Sequence, residues 1–185
     1  QHTQGLPTLL DGAGFVNAAV ALDVDIQEIA KHFDSMTICL SKGLSAPICS
    51  LLLGDKELIN RARRIRKMLG GAMRQVGMLA AAGKLAMTEQ VEQLKLDHKH
   101  AKQLALNLAD IPGFHVKPEL VQTNIVFAKL DEQVDIVGIA EKLKAQGITI
   151  SPGNPVRFVT HKDVSSQDIE ILTKHISDLV GTPQV

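Results

Sequence analysis

Tryptophan and tyrosine are absent from the 185 residues, and phenylalanine occurs only five times. Platforms that stack bases need aromatic faces, so this scarcity argues against a single-stranded nucleic-acid binder. Net charge is also missing. Twenty basic residues balance twenty acidic ones, and no long-range field draws a polyanion. Cysteine occurs twice, at Cys39 and Cys49. Both lie in apolar runs without CxxC or Cys/His spacing, so they read as small buried hydrophobes. Neither a disulfide framework nor a metal site is expected, and a reduced cytosolic or organellar setting follows. No apolar run reaches the length of a membrane span, because Lys42 and Lys84 interrupt the best candidates. The first seven residues lack both a Met and an apolar signal core, and they read as an interior segment of a longer protein.

What is present is an ordinary globular composition, 45% hydrophobic and 22% charged. Thr8 to Leu10 reads as a short strand with Asp11 to Gly14 as its exit turn. Short helices follow at Phe15 to Ala21 and Ile26 to Phe33. Met36 to Leu40 is the next strand, Lys42 to Pro47 a loop of small residues, and Ile48 to Leu53 a β-rich run. Asp55 caps a helix over Lys56 to Met68, and Gly70-Gly71 breaks it. An Ala-rich helix spans Met73 to Met87, and Thr88 opens a long amphipathic helix to Ala109. Ile111-Pro112-Gly113 marks a domain boundary, giving domains 1–110 and 111–185. Beyond it the order is strand, strand, helix, strand, strand, helix. The strands fall at Phe114 to Lys117, Asn124 to Lys129, Ile148 to Ser151 and Val156 to Thr160. The helices fall at Val134 to Gln146 and, capped by Ser165 or Ser166, at Ser166 to Val180. The tail is a small α+β domain; the front resembles the second half of a larger α/β sheet.

Two strand ends carry chemistry. Leu9-Leu10-Asp11-Gly12 closes on a carboxylate, and Met36 to Leu40 leads through Ser41 to the amine of Lys42. In parallel α/β sheets ligands bind at the carboxyl ends of strands. A lysine there can form a Schiff base with a carbonyl cofactor, and an aspartate there can pair with a pyridinium nitrogen. Alone, Asp-Gly and Ser-Lys-Gly are also common turns. The basic run Arg61, Arg63, Arg64, Arg66 and Lys67 occupies one helix and reads as a solvated face. Asp97, His98 and His100 lack the spacing of a helical metal pair, and His161 reads as a loop or cap partner.

A set of strings in fixed order adds specificity. They are Leu10-Asp11-Gly12-Ala13, Asn17-Ala18-Ala19, Ser41-Lys42-Gly43-Leu44, Arg66 through Gln75, Thr123 through Val126, and Arg157 through His161. Together they resemble the low-specificity threonine aldolases, pyridoxal 5'-phosphate (PLP) lyases of fold type I, the aspartate-aminotransferase-like fold. The resemblance implies the C-terminal part of that PLP-binding large domain followed by the small domain. Lys42 matches the lysine that holds PLP, and Asp11 the aspartate on the pyridine nitrogen. Arg74 matches a cation near the cofactor, and Arg157 the arginine that grips the substrate carboxylate, a role suited to a planar two-pronged donor. The implied reaction cleaves L-threonine or L-allo-threonine to glycine and acetaldehyde. The implied partners are a small amino-acid substrate and further copies in a homodimer or homotetramer, with no nucleic acid and no membrane.

The chain departs from the family at three places. Gly14 stands where the family has the arginine of Asp-Gly-Ala-Arg. Ser45 and Ala72 stand where it has glycines that permit close approach or positive φ. The family's first half has no counterpart, so unpaired strand edges and exposed apolar surface are expected at Leu9 and Met36. A non-catalytic degenerate paralogue and another fold type I lyase remain alternatives, since Asp11 and Lys42 would serve any of these enzymes.

Overall fold

The computed structural model describes residues 5–181. It divides into two compact units, 1–94 and 95–185. The first begins with β1 (Leu9–Gly12), α1 (Phe15–Leu22), α2 (Ile26–Ala30), β2 (Ser35–Cys39) and β3 (Ser50–Gly54). The helices α3 (Lys56–Met68) and α4 (Gly77–Glu89) follow, and then α5 (Gln93–Ala109), in which the division falls. β2 is the middle strand of the sheet, parallel to β1 and antiparallel to β3. A polar latch sets the register of β1 on β2. Asp34 accepts bonds from the Thr8 backbone amide at 2.6 Å and from the Thr8 hydroxyl at 3.1 Å.

β1 runs two residues further than the sequence suggests, which puts Asp11 inside the strand opposite Thr37 rather than in a turn. Gly12 makes this possible: a Cβ there would stand 1.9 Å from the Thr37 carbonyl oxygen, so no side chain fits. The core of this unit gathers Phe15, Val16, Met36, Ile38, Leu40, Leu44, Ala46, Ala86 and Leu94. The α4 helix begins only at Gly77, because Gly70 and Gln75 take left-handed backbone at φ 79° and 50°. Thr88 belongs to the last turn of α4, where its hydroxyl bonds back to the Lys84 carbonyl, and α5 starts afresh at Gln93. Both cysteines are free and half-buried rather than buried.

The second unit holds the remainder of α5, β4 (Phe114–His115), β5 (Ile125–Leu130), α6 (Ile136–Lys144), β6 (Val156–Val159) and α7 (Ser166–Gly181). Its sheet is antiparallel in the order β4-β5-β6. The compact unit starts earlier than the Ile111-Pro112-Gly113 break because Ala101, Leu104, Ala105 and Leu108 of α5 already belong to its core. That core also contains Phe114, Val126, Ala128, Leu130, Leu143, Val156, Phe158, Ile169 and Ile176. The stretch Ile148 to Ser151 forms no strand. Its Ile148 and Ile150 pack against the core from an irregular segment instead. Asp25, Asp55 and Asp135 cap α2, α3 and α6 by accepting backbone amides, the role such residues favour.

Candidate active site

The first unit brings Asp11 and Lys42 to the same end of its sheet. β1 and β2 run parallel as neighbours, with Asp11 opposite Thr37. β2 ends at Cys39, and Lys42 follows three residues on. Both side chains are exposed. One Asp11 oxygen accepts the Ala13 amide at 3.3 Å, which holds the carboxylate at the strand exit.

The Lys42 loop is closed by its own backbone. The Lys42 carbonyl accepts Ser45 N at 2.8 Å, the Leu40 carbonyl accepts Ala46 N at 2.9 Å, and Leu40 N donates to Cys49 O at 3.0 Å. Leu44 and Ala46 are buried and pin the far side of the loop. Two residues take the left-handed region here, Ser45 at φ 59° and Cys49 at φ 98°. Ser45 occupies the position where a glycine was expected, and it adopts the conformation that glycine favours. Non-glycine residues in such conformations persist only where surrounding contacts fix them. The Cys49 geometry carried no signal in the sequence. Asn17 of α1 lies against this loop: a Cβ at Gly43 would sit 3.3 Å from its amide nitrogen. Thr37 also approaches the site, its hydroxyl 3.3 Å from Gly12 N. In the sequence Thr37 was visible only as a strand residue, and Asn17 only as part of a string that carries the family resemblance, with no role assigned.

Gly14 stands exposed just before α1, and a Cβ there would meet nothing within 4 Å. The position that holds an arginine in the aldolase pattern is therefore open. Arg74 is exposed on the irregular stretch between α3 and α4. Arg157 belongs to the second unit. It is exposed on β6, opposite Phe127 of β5, and it lines a cavity of about 480 Å³ with Thr149, Ser151, Thr160 and His161. His161 is a loop partner, its Nδ1 3.3 Å from the Asp163 amide. No metal-binding cluster of His, Cys, Asp or Glu forms among the described residues.

A family model described as beta-eliminating lyase matches residues 1–132. The chain belongs to the beta-eliminating lyase family. Within that family it is 40% identical over 166 residues to the low specificity L-threonine aldolase of Escherichia coli K12, covering 90% of this chain and 49% of the relative. It is 37% identical over 169 residues to low-specificity L-threonine aldolase 1 of Arabidopsis thaliana, covering 89% and 47%. The chain thus spans about half the length of the curated relatives it matches. A solved structure described as a putative L-allo-threonine aldolase from Listeria monocytogenes superposes with TM-score 0.80 at 18% identity, covering 96% of this chain and 53% of that one. The Leishmania major threonine aldolase structure gives 0.73 at 19%, covering 96% and 53%. These likenesses establish the fold as the fold type I architecture expected from the sequence, present in its C-terminal part.

Proposed function

We propose that this member of the beta-eliminating lyase family is the cofactor-anchoring part of a PLP-dependent threonine aldolase. The reaction in the whole protein is retro-aldol cleavage of L-threonine or L-allo-threonine to glycine and acetaldehyde. One observation carries the reading: an exposed carboxylate and an exposed primary amine at the same ends of two adjacent parallel strands. That donor set fits PLP, whose aldehyde takes an amine and whose ring nitrogen takes a carboxylate. The chain's 40% identity to a named aldolase favours this substrate class over other lyases.

Bound there, PLP supplies the sink for the electron pair released when the Cα–Cβ bond breaks. The chain's own residues set up that step. Asp11 would keep a proton on the ring nitrogen, Lys42 would hold the aldehyde carbon until the substrate amine takes its place, and Arg157 would hold the substrate carboxylate through two parallel donors. Arg74 adds a positive charge near the cofactor. The assembly expected is a homodimer or homotetramer. No helix among the described residues is long and apolar enough to cross a membrane, and a cytoplasmic setting is the reading consistent with two free cysteines.

The test is a PLP titration of the purified chain, followed by borohydride reduction and peptide mapping. A saturable visible band with the reduced adduct on Lys42, lost in Lys42→Ala, supports the reading. An adduct retained elsewhere in Lys42→Ala sinks it.

Gly14 favours a second reading, a non-catalytic relative that associates with a full-length enzyme. By itself the missing guanidinium removes a charge-assisted hydrogen bond of about 1.5–3 kcal/mol. Co-purification with a full-length relative, without threonine cleavage, would select this reading.

A further inference from the structure

Arg157 sits at the centre of a strand that is tied down at both ends by side chains no role has yet claimed. β6 is four residues long and forms an edge of its sheet. Such a strand frays readily, and a one-residue slip would turn Arg157 inward and Phe158 outward. Three residues before Arg157, Asn154 does the work of an extra rung. Its Oδ1 accepts Leu130 N at 3.0 Å and its Nδ2 donates to Leu130 O at 2.9 Å. Three residues after Arg157, Thr160 closes the other end. Its amide donates to the Asn124 carbonyl at 3.0 Å, and the Asn124 amide side chain donates to its carbonyl at 2.9 Å. The Thr160 hydroxyl then donates to the backbone carbonyl of Asp97 at 2.6 Å, which ties the strand end to α5. Asn124 and Thr160 are 8% and 1% exposed, and buried polar groups are tolerated only when satisfied in this way.

We propose that Asn154, Asn124 and Thr160 form a two-ended clamp that fixes β6 in register on β5 and thereby positions the Arg157 guanidinium. The proposal deepens the reading above and rests on Arg157 binding the substrate carboxylate. A carboxamide is needed at Asn154 because one side chain must both donate and accept; an aspartate there could accept the Leu130 amide but not donate to its carbonyl, and a leucine could do neither. A hydroxyl is needed at Thr160 to reach Asp97.

The experiment uses the full 185-residue chain with saturating PLP. The Arg157 Nε–Hε signal is followed by NMR while L-threonine is titrated. Asn154→Ala, on an exposed turn, and Thr160→Val should weaken threonine binding about tenfold, the size of one lost hydrogen-bond interaction. Thr160→Ser, which keeps the hydroxyl, should restore it. In an Arg157→Ala background, where threonine binding is read instead from the visible absorbance of bound PLP, the clamp variants should cause no further loss, because coupled residues are not additive. If the wild-type Arg157 signal ignores threonine, the carboxylate reading fails and the clamp with it. If wild type responds and both variants bind equally well, the clamp alone is overturned. Losses that persist in the Arg157→Ala background also overturn it, since they would not act through Arg157.

Discussion

β2 and β5 are each the middle strand of a three-stranded sheet, and each alternates buried with less buried residues. Their neighbours differ. β6 buries alternate residues beside β5, whereas β3, beside β2, is exposed at every position, including Leu51, Leu52 and Leu53. The same contrast holds for whole units. Among the described residues, the first unit buries ten core hydrophobics and exposes fifteen large ones; the second buries fifteen and exposes seven. Free energy from apolar burial scales with the area removed from water. The second unit therefore carries the larger core, and the first carries the chemistry-bearing Asp11 and Lys42 on a sheet whose β3 strand is exposed throughout. The chain matches about half the length of its relatives, and the uncovered strands are where further chain would be expected to pack.

The largest test of that contrast removes one leucine from each unit. Leu143 is fully buried in the second core, and Leu143→Ala should cost about 2–5 kcal/mol. Leu52 is 42% exposed, and Leu52→Ala should stay within about 0.5 kcal/mol. Amide hydrogen exchange reports each unit separately. Equal losses at the two sites would break the comparison by showing that β3 is covered in solution, for example by a second copy.

A smaller effect comes from adding a side chain rather than removing one. Gly14→Arg places its Cβ in open space and should leave the melting temperature unchanged. With PLP bound it should tighten threonine binding by about 1.5–3 kcal/mol, the worth of a charge-assisted bond. Gly113 in the second unit offers no such room. Its φ is +81°, and a Cβ would meet Val134 at 2.7 Å, so Gly113→Ala should cost about 1 kcal/mol or more. An arginine at position 14 that leaves affinity unchanged would remove the carboxylate role from that position.

The sequence and the structure agree where local signals suffice. The helix over Lys56 to Met68 has its bounds as expected, because Asp55 caps it and Gly70-Gly71 ends it. The placement of Asp11 and Lys42 at one sheet end was legible because both close apolar β-runs. The misses have tertiary causes. Nothing local says that Ile148 to Ser151 lies beside the core without pairing, or that Asn154 replaces a rung of the ladder. The antiparallel direction of β3 depends on how the Lys42 loop folds back through Ser45 and Cys49. The second half of α5 belongs to the later core, whereas Ile111-Pro112-Gly113 is the louder break in the chain.

The smallest expected effect separates two helix caps. Asp55 caps α3 with one bond, accepting Leu58 N at 2.7 Å, and α3 buries no residue. At α7 the cap is reciprocal. The Ser165 hydroxyl oxygen accepts Asp168 N at 3.2 Å, while Asp168 accepts from the Ser165 amide at 2.8 Å and hydroxyl at 2.6 Å. The Ser165 hydroxyl first, and its backbone amide second, hold the Asp168 carboxyl below the usual carboxylate range. A folded-state value below the unfolded one stabilises fully above the unfolded value, about 3.9, and the gain vanishes as pH falls through the lower folded value. Ser165→Ala should cost about 1 kcal/mol at neutral pH and flatten the acid limb of the second unit's stability. Because α7 buries Ile169, Thr173 and Ile176, exchange should rise across that unit's core. Asp55→Ala should raise exchange in α3 alone. A cap loss at α7 that stayed local would mean that the second unit is less cooperative than its buried core implies.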